Sequence, residues 1–397
     1  MRGAGGDDGA MTAALDRFRA AVMADEPAQQ RLAAIADPAE FVRAATEWAA
    51  GRGLALAADD LAAALGADPL GIGLLGEAPL RGASWPPRQW MPLRYAPEAA
   101  AVDWIHFAGR ALAAPHFEAD VRPLAARPFN RLFRWRTALD DFVRAPRDGS
   151  LVPDGFVFHM SRCGSTLVAQ MLAAVPHHIV VSEAEPLDTM VQLARIDPAL
   201  APAAHIEAVR AMVAALGRDR TGGARRYFVK LDSWHALALP LFRAAFPDTP
   251  WVFLYRDPVE VLASHERRPG RQTAPGALLG HAAGSAAAGI EHTAQVLART
   301  CEAAADALSR GGGLLVDYRE LPEALFARIL PHFGAAPDAA ERAAMAAASR
   351  RDAKVPDTEF APDSEAKRRQ AGDAARAAAG RHLSGVHARL EALRAAP

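Results

Sequence analysis

Cysteine is almost missing from this chain of 397 residues, which has only Cys163 and Cys301. Two thiols cannot build a disulfide framework or a cysteine-based zinc site. An excess of charge is lacking too: 45 Lys and Arg stand against 46 Asp and Glu, for a formal net charge of -1. A chain so balanced has no global field to draw it to nucleic acid or an anionic membrane, so any anion site must be local. Long apolar runs are also absent, since no stretch reaches the roughly 18 apolar residues of a membrane helix. The Ala-rich run from Ala282 to Ala305 is broken by Glu291, His292 and Arg299 and reads as a packed helix. The opening residues MRGAGGDDGA have no apolar core like that of a signal peptide. The expectation is a cytoplasmic protein with neither a membrane nor a nucleic-acid partner.

What is present is an ordinary globular mixture, 51% hydrophobic and 23% charged, in a chain long enough for two or three domains at about 150 residues each. Three regions follow one another. Residues 12–65 read as a small α-helical domain: Leu15, Phe18 and Val22 recur at helical spacing, as do Phe41, Val42, Ala45 and Trp48. Asp37 before Pro38 fits a helix start, Gly51 or Gly53 a helix end, and a further helix after Asp59 would bury Leu61 and Leu65. The glycines and prolines of PLGIGLLGEAPLRG then mark a connector. Residues 70–150 are rich in Trp and Pro, with no function legible in them. Their basic run, Arg127, Arg131, Arg134 and Arg136, fits either the lining of an anion-binding groove or, the commoner case, an amphipathic helix with its charged face in solvent.

Within the first region, LDRFRAAVMADEPAQQRLAAIADPAEFVRAATEWAAGRGLALAADDL resembles the nitrogen-fixation-cluster leader-peptide domain. That family has a Phe in a first helix, a short second helix, and a helix ending before a Gly and an apolar pair. The resemblance implies a module that recruits a protein partner or a substrate.

Residues 151–397 carry a different pattern. FVFHM (156–160), HIVVS (178–182), YFVKL (227–231), WVFLY (251–255) and GLLVDY (313–318) are short β-branched and aromatic runs between helical stretches. Strands alternating with helices imply an α/β fold, a parallel sheet flanked by helices. Ligands of such sheets bind beyond the carboxyl ends of the strands.

The first strand runs into Ser161-Arg162-Cys163-Gly164-Ser165-Thr166 and then a helix. A polar turn in that place aims backbone N–H groups and the positive helix end at an anion. Gly164 allows close approach, the hydroxyls donate, and Arg162 adds a fixed charge. The lysine of a Walker A loop is absent, because Gly164 precedes the Ser-Thr pair. After the fourth strand, Arg256 and Ser264 stand eight residues apart, and an arginine with a hydroxyl at a helix start suits a phosphate.

Together these segments resemble the sulfotransferases over roughly residues 155–335. The family's phosphosulfate loop reads Pro-Lys-Ser-Gly-Thr-Thr. Arg162 takes the place of the Lys, as in the tyrosylprotein branch, while Cys163 replaces a Ser and removes one donor. Gly164, Ser165 and Thr166 match in type. LLVDYREL (314–321) echoes the family's Tyr-Glu-Asp-Leu ending, with Arg319 where Glu is usual. The resemblance implies a P-loop-like sulfotransferase fold and sulfuryl transfer from 3′-phosphoadenosine 5′-phosphosulfate to an acceptor hydroxyl or amine, without a metal. It also implies that loop 161–166 holds the phosphosulfate and that Arg256 and Ser264 hold the 3′-phosphate. Arg162 and Lys230 would stabilise developing charge. Glu183, 21 residues after Arg162, corresponds to the catalytic Glu of tyrosylprotein-type members, while Asp232 sits where cytosolic members carry their His base. Both stay candidates for the base, with Glu185 a third carboxylate close by.

Other readings stay open: an ATP-dependent phosphotransferase, or a non-catalytic nucleotide-binding protein. The acceptor, a peptide or a small molecule, is not named by any motif. His177-His178 and His265-Glu266 lack ligand spacing and are expected to be surface residues.

Overall fold

The computed structural model of the chain describes residues 7–66, 80–270, 289–353, 358 and 364–396. It divides into two compact units. The first comprises residues 1–111, 118–149 and 218–222, and the second residues 112–117, 150–217 and 223–397.

The first unit begins with the helices Asp7–Met23, Glu26–Ala34, Pro38–Ala50 and Ala58–Leu65. Asp37 caps the third as its sequence suggests, its carboxylate accepting from Glu40 N–H at 2.8 Å, and Gly51 ends it. Phe18, Phe41, Leu61 and Leu65 are buried. A four-stranded sheet follows, in the order β1 (Leu80–Arg81), β4 (Trp135–Ala138), β3 (Ala101–His106), β2 (Trp90–Ala96). These helices and this sheet share one core. Trp90 Nε1 donates to Gln29 Oε1 at 2.9 Å, and the Phe18 and Phe133 rings meet edge-on with centroids 5.5 Å apart.

The basic run does not lie on a solvent-facing helix. Arg127 Nη1 donates to the carbonyls of Ala33 and Ala34 at 2.9 and 3.1 Å, and Arg131 Nη2 to those of Leu65 and Gly66. Both arginines thus satisfy the orphan carbonyls at helix C-termini, where the helix dipole favours a cation. Arg136 is a strand residue, buried against Asp103 in a two-pronged pair of 2.6 and 2.8 Å. Alternation along β4 turns it inward, and only a buried carboxylate makes that tolerable.

The second unit holds the parallel sheet, in the order β6 (His178–Ser182), β7 (Arg226–Lys230), β5 (Gly155–His159), β8 (Trp251–Tyr255), β9 (Gly313–Asp317). All five strands fall on the runs that predicted them. Helices cover both faces, so the strands are buried almost throughout, which is why they read as continuous apolar runs. The neighbours β5 and β8 send their outgoing connections to opposite sides of the sheet, and a crevice opens at such a switch point. The Ala-rich run becomes the helix Ile290–Leu308, with residues 282–288 outside the described residues. No described helix is long and apolar enough to cross a membrane.

The Asp103 pair gives a direct test of the first unit. Asp103→Ala removes the buried carboxylate that both Arg136 and Arg94 bond, which is expected to cost about 3–5 kcal/mol in urea unfolding followed by circular dichroism. A loss below about 1 kcal/mol, the scale of an exposed pair, would show that the ion pair is not holding this sheet together.

Candidate active site

The crevice at the carboxyl ends of β5, β6, β7 and β8 is a cleft of about 470 Å³ lined by Ser161 to Leu167, Glu183, Asp232, Arg256 and Ser264, among others. Each sequence-predicted site residue except Lys230 is in that lining; Lys230 is fully buried beneath it, on Glu183.

Beyond β5 the chain turns through two left-handed residues, Ser161 (φ 86°) and Arg162 (φ 55°), and again at Gly164 (φ 84°) before the helix Ser165–Ala173. Non-glycine residues in this region are strained, and surrounding structure must hold them there. The holding contacts are visible: Ser161 N–H donates to His159 Nδ1 at 3.1 Å, and Arg162 Nη2 donates to Arg268 O at 2.6 Å. Gly164 is required twice over, by its φ and because a Cβ there would lie 2.8 Å from Leu321 Cδ1 and 2.9 Å from Tyr318 Cδ2. The Cys163 thiol is committed elsewhere: it is buried and donates to Leu254 O at 3.1 Å. Burial pushes this thiol up to about 12, which leaves no nucleophilic thiolate near neutral pH.

Glu183, directly after β6, is also left-handed (φ 53°). Its N–H donates to Lys230 O at 2.8 Å, while its carboxylate pairs with the Lys230 ammonium. Its other oxygen lies 3.2 Å from His116 Nδ1, off the line of a hydrogen bond, and His159 Nε2 is 3.5 Å away. Burial pushes the Glu183 carboxyl up, but Lys230 and the two imidazoles outweigh it and hold the group well below the usual carboxylate range. Asp232, after β7, goes the other way. Burial raises it to about 6, helped by the charges of Glu183 and Asp188 and opposed by His235 and Lys230. It is also a helix cap, in a reciprocal box with His235. The third carboxylate, Glu185, begins the helix Glu185–Val191 and is exposed.

Arg256, after β8, is buried. Its Nε donates to Glu260 Oε2 at 2.6 Å and one Nη to Ser364 Oγ at 2.9 Å, and its guanidinium lies 3.9 Å from the Tyr318 ring centroid. Glu260 is shared with Arg368 at 2.7 Å. Ser264 stands in the last turn of the same helix, Pro258–Arg267, and not at the helix start that its sequence place suggested.

Several residues of the cleft were not anticipated. His116 comes from residues 112–117, pinned along the sheet edge where Ser182 Oγ donates to Pro115 O at 2.9 Å; nothing local signals it. His159 is hidden inside a strand-like run. Arg267, Arg268 and Lys367 also line the cleft, and the RR pair so close to Ser264 was a usable signal. His265 is not a surface residue: it is buried, its Nε2 is 3.3 Å from Ser161 Oγ, and its Nδ1 accepts from Gly270 N–H at 3.2 Å. The helix that carries Ser264 turns His265 toward the sheet.

Residues 153–339 match the model of the Sulfotransferase family. The α/β unit therefore carries a sulfotransferase-family domain. No curated protein matches the sequence. Among solved structures, sulfotransferase STF1 of Mycobacterium tuberculosis is 18% identical, with 50% of this chain and 72% of that one aligned at a TM-score of 0.36. The sulfotransferase domain of the Synechococcus olefin synthase is 18% identical over 64% of this chain and 98% of its own, at a TM-score of 0.38. The sulfotransferase domain of the curacin biosynthetic pathway is 15% identical over 62% and 98%, also at 0.38.

Both cysteines are buried. A thiol-reactive disulfide reagent at pH 8 is expected to label neither in the folded protein and both in urea. Rapid labelling of native Cys163 would contradict the loop geometry described above.

Proposed function

We propose that this enzyme transfers a sulfuryl group from 3′-phosphoadenosine 5′-phosphosulfate to an acceptor hydroxyl or amine. The observation that supports this reading is the convergence, in one cleft, of an anion-shaped turn, a buried arginine and serine pair, and two carboxylates in opposite electrostatic states. The volume lies in the range of small-ligand pockets.

The loop from Ser161 to Thr166 offers its hydroxyls, and amides other than that of Ser161, which His159 holds, to the phosphosulfate, with Arg162 beside it. Arg256 and Ser264 take the 3′-phosphate, a group that ATP does not carry. This purpose for the pair, together with the missing Walker lysine, weighs against the phosphotransferase reading. A carboxylate then accepts the proton of the acceptor as its oxygen or nitrogen attacks sulfur, and the sulfur–oxygen bond to the nucleotide phosphate breaks in line. Arg162 steadies charge on the sulfuryl oxygens and on the leaving phosphate.

Glu183 is the base in this reading. In the resting site Lys230 neutralises it. The donor's negative charge, arriving in the cleft above this buried pair, acts on Glu183 through the field and makes its carboxyl more basic. A second assignment has an observation of its own: burial has already raised Asp232 to about 6, near the value that suits a base at neutral pH.

The acceptor is proposed to be a peptide or a small molecule, as in natural-product tailoring. The recruiting role read for residues 12–65 passes in this proposal to the whole first unit, because those helices share its core.

Two measurements test the reading. 3′-Phosphoadenosine 5′-phosphate should bind far more tightly than 5′-AMP in calorimetry, and Arg256→Ala should weaken the former by roughly 10- to 150-fold, the worth of a charge-assisted hydrogen bond. Equal affinity for the two nucleotides would remove the basis for the donor. For the base, Glu183→Gln should lower kcat about 10²- to 10⁴-fold with donor affinity nearly unchanged. If Asp232→Asn shows that loss instead, and wild-type kcat falls as pH drops through about 6, the base is Asp232. The sign follows because a raised carboxyl is an empty proton acceptor only above its pKa.

A further inference from the structure

His159 belongs to none of the motifs above, yet it stands between the anion loop, Glu183 and the residue before Asp232. It is the last residue of β5 and is 4% exposed. Its Nδ1 accepts from Ser161 N–H at 3.1 Å. A backbone amide can only donate, so Nδ1 carries no proton, and in a neutral ring the proton is on Nε2. Nε2 meets two groups that can only accept, Leu231 O at 2.9 Å and Glu183 Oε1 at 3.5 Å. A single ring therefore grips the first amide of the left-handed turn on one side. On the other it holds the carbonyl that precedes Asp232 and leans on Glu183.

From this juxtaposition we propose that His159 is a positioning residue that couples the anion loop to the proton-accepting carboxylate. Its Nδ1 holds the loop in the shape the donor needs, and its Nε2–H holds the Glu183 side of the cleft in the shape the transfer needs. This rests on the sulfotransferase reading. An apolar side chain at this point could pack the strand end, but it could neither hold Ser161 at φ 86° nor occupy a place among Lys230, Glu183 and a bare carbonyl. Burying an imidazole here is tolerable only because both nitrogens are matched. Burial keeps the ring neutral, with Lys230 acting in the same direction and Glu183 against it, so one nitrogen stays an acceptor and the other a donor.

The two nitrogens can be replaced separately. Asparagine places an amide oxygen near the position of Nδ1, whereas glutamine places an amide nitrogen near that of Nε2. His159→Gln should weaken binding of 3′-phosphoadenosine 5′-phosphate and raise the donor KM by about 3- to 10-fold, one lost neutral hydrogen bond, with kcat little changed. His159→Asn should leave that affinity and KM nearly unchanged and lower kcat by at least a similar factor. A split in this sense supports the proposal. Equal losses in both variants, the reverse split, or no loss in either would overturn it. Wild-type protein that fails to bind the nucleotide would overturn the donor reading itself before either variant is compared. If the variants do not fold by circular dichroism, nitrogen-15 spectra of the histidine-labelled wild-type chain decide. A protonated-Nε2 imidazole whose two ring nitrogens both shift on adding the nucleotide supports the coupling, and a spectrum in which no such ring responds refutes it.

Discussion

The second unit depends on a lysine that has nowhere to go. Lys230 ends the interior strand β7 and is 1% exposed, and an ammonium so buried stays charged only beside a carboxylate. Glu183 supplies it from the neighbouring strand end, and the two residues are joined again by Glu183 N–H on the Lys230 carbonyl. The left-handed backbone of Glu183 follows from meeting both demands at once. The ion pair is therefore also a register device: it fixes how β6 ends relative to β7 and which way the carboxylate faces. His116 and His159 then have a fixed anion to settle against.

The same logic operates on the other side of the cleft. Arg256 directly follows β8 where Lys230 ends β7, and it too is buried beside a carboxylate, here Glu260 one helical turn later. Two strand ends thus each carry a buried cation, each with its own acid. The arrangement keeps the cations desolvated and aimed without leaving them uncompensated. An arriving anion need not order them, and preorganised charge of this kind acts most strongly where water is excluded.

How much of this was legible from sequence depended on whether the cause was local. The five parallel strands were, since strands covered on both faces are uninterrupted apolar runs, and so was the place of the turn between β5 and the helix Ser165–Ala173. Asp37 and Pro38 announced a helix start because capping is decided within four residues. The left-handed turns at Ser161, Arg162 and Glu183 were not legible, because no glycine marks them and the forces that hold them come from distant chain. His116 arrives from before the first strand of the sheet. The basic run misled for the same reason: Arg127 and Arg131 look like a solvated face until the helix ends at Ala34 and Leu65 are seen to need their protons. His265 was read as exposed, because nothing within its own helix says that one turn of it faces Ser161.

Charge around the cleft has a further consequence for the order of events. Five cations line it, Arg162, Arg256, Arg267, Arg268 and Lys367, against the three carboxylates Glu183, Asp232 and Asp352, so the empty cleft favours an anion although the whole chain is near neutral. A sulfuryl donor with its phosphates more than offsets that surplus. Once the donor is in place the field on Glu183 and Asp232 turns negative, and both carboxylates hold a proton more readily than in the empty cleft. In the proposed reaction the donor thus supplies the electrostatic change that makes a paired, weakly basic Glu183 a better proton acceptor. An acceptor arriving first would meet a carboxylate still neutralised by Lys230. For the proposed reaction, donor before acceptor is the order that this distribution of charge favours.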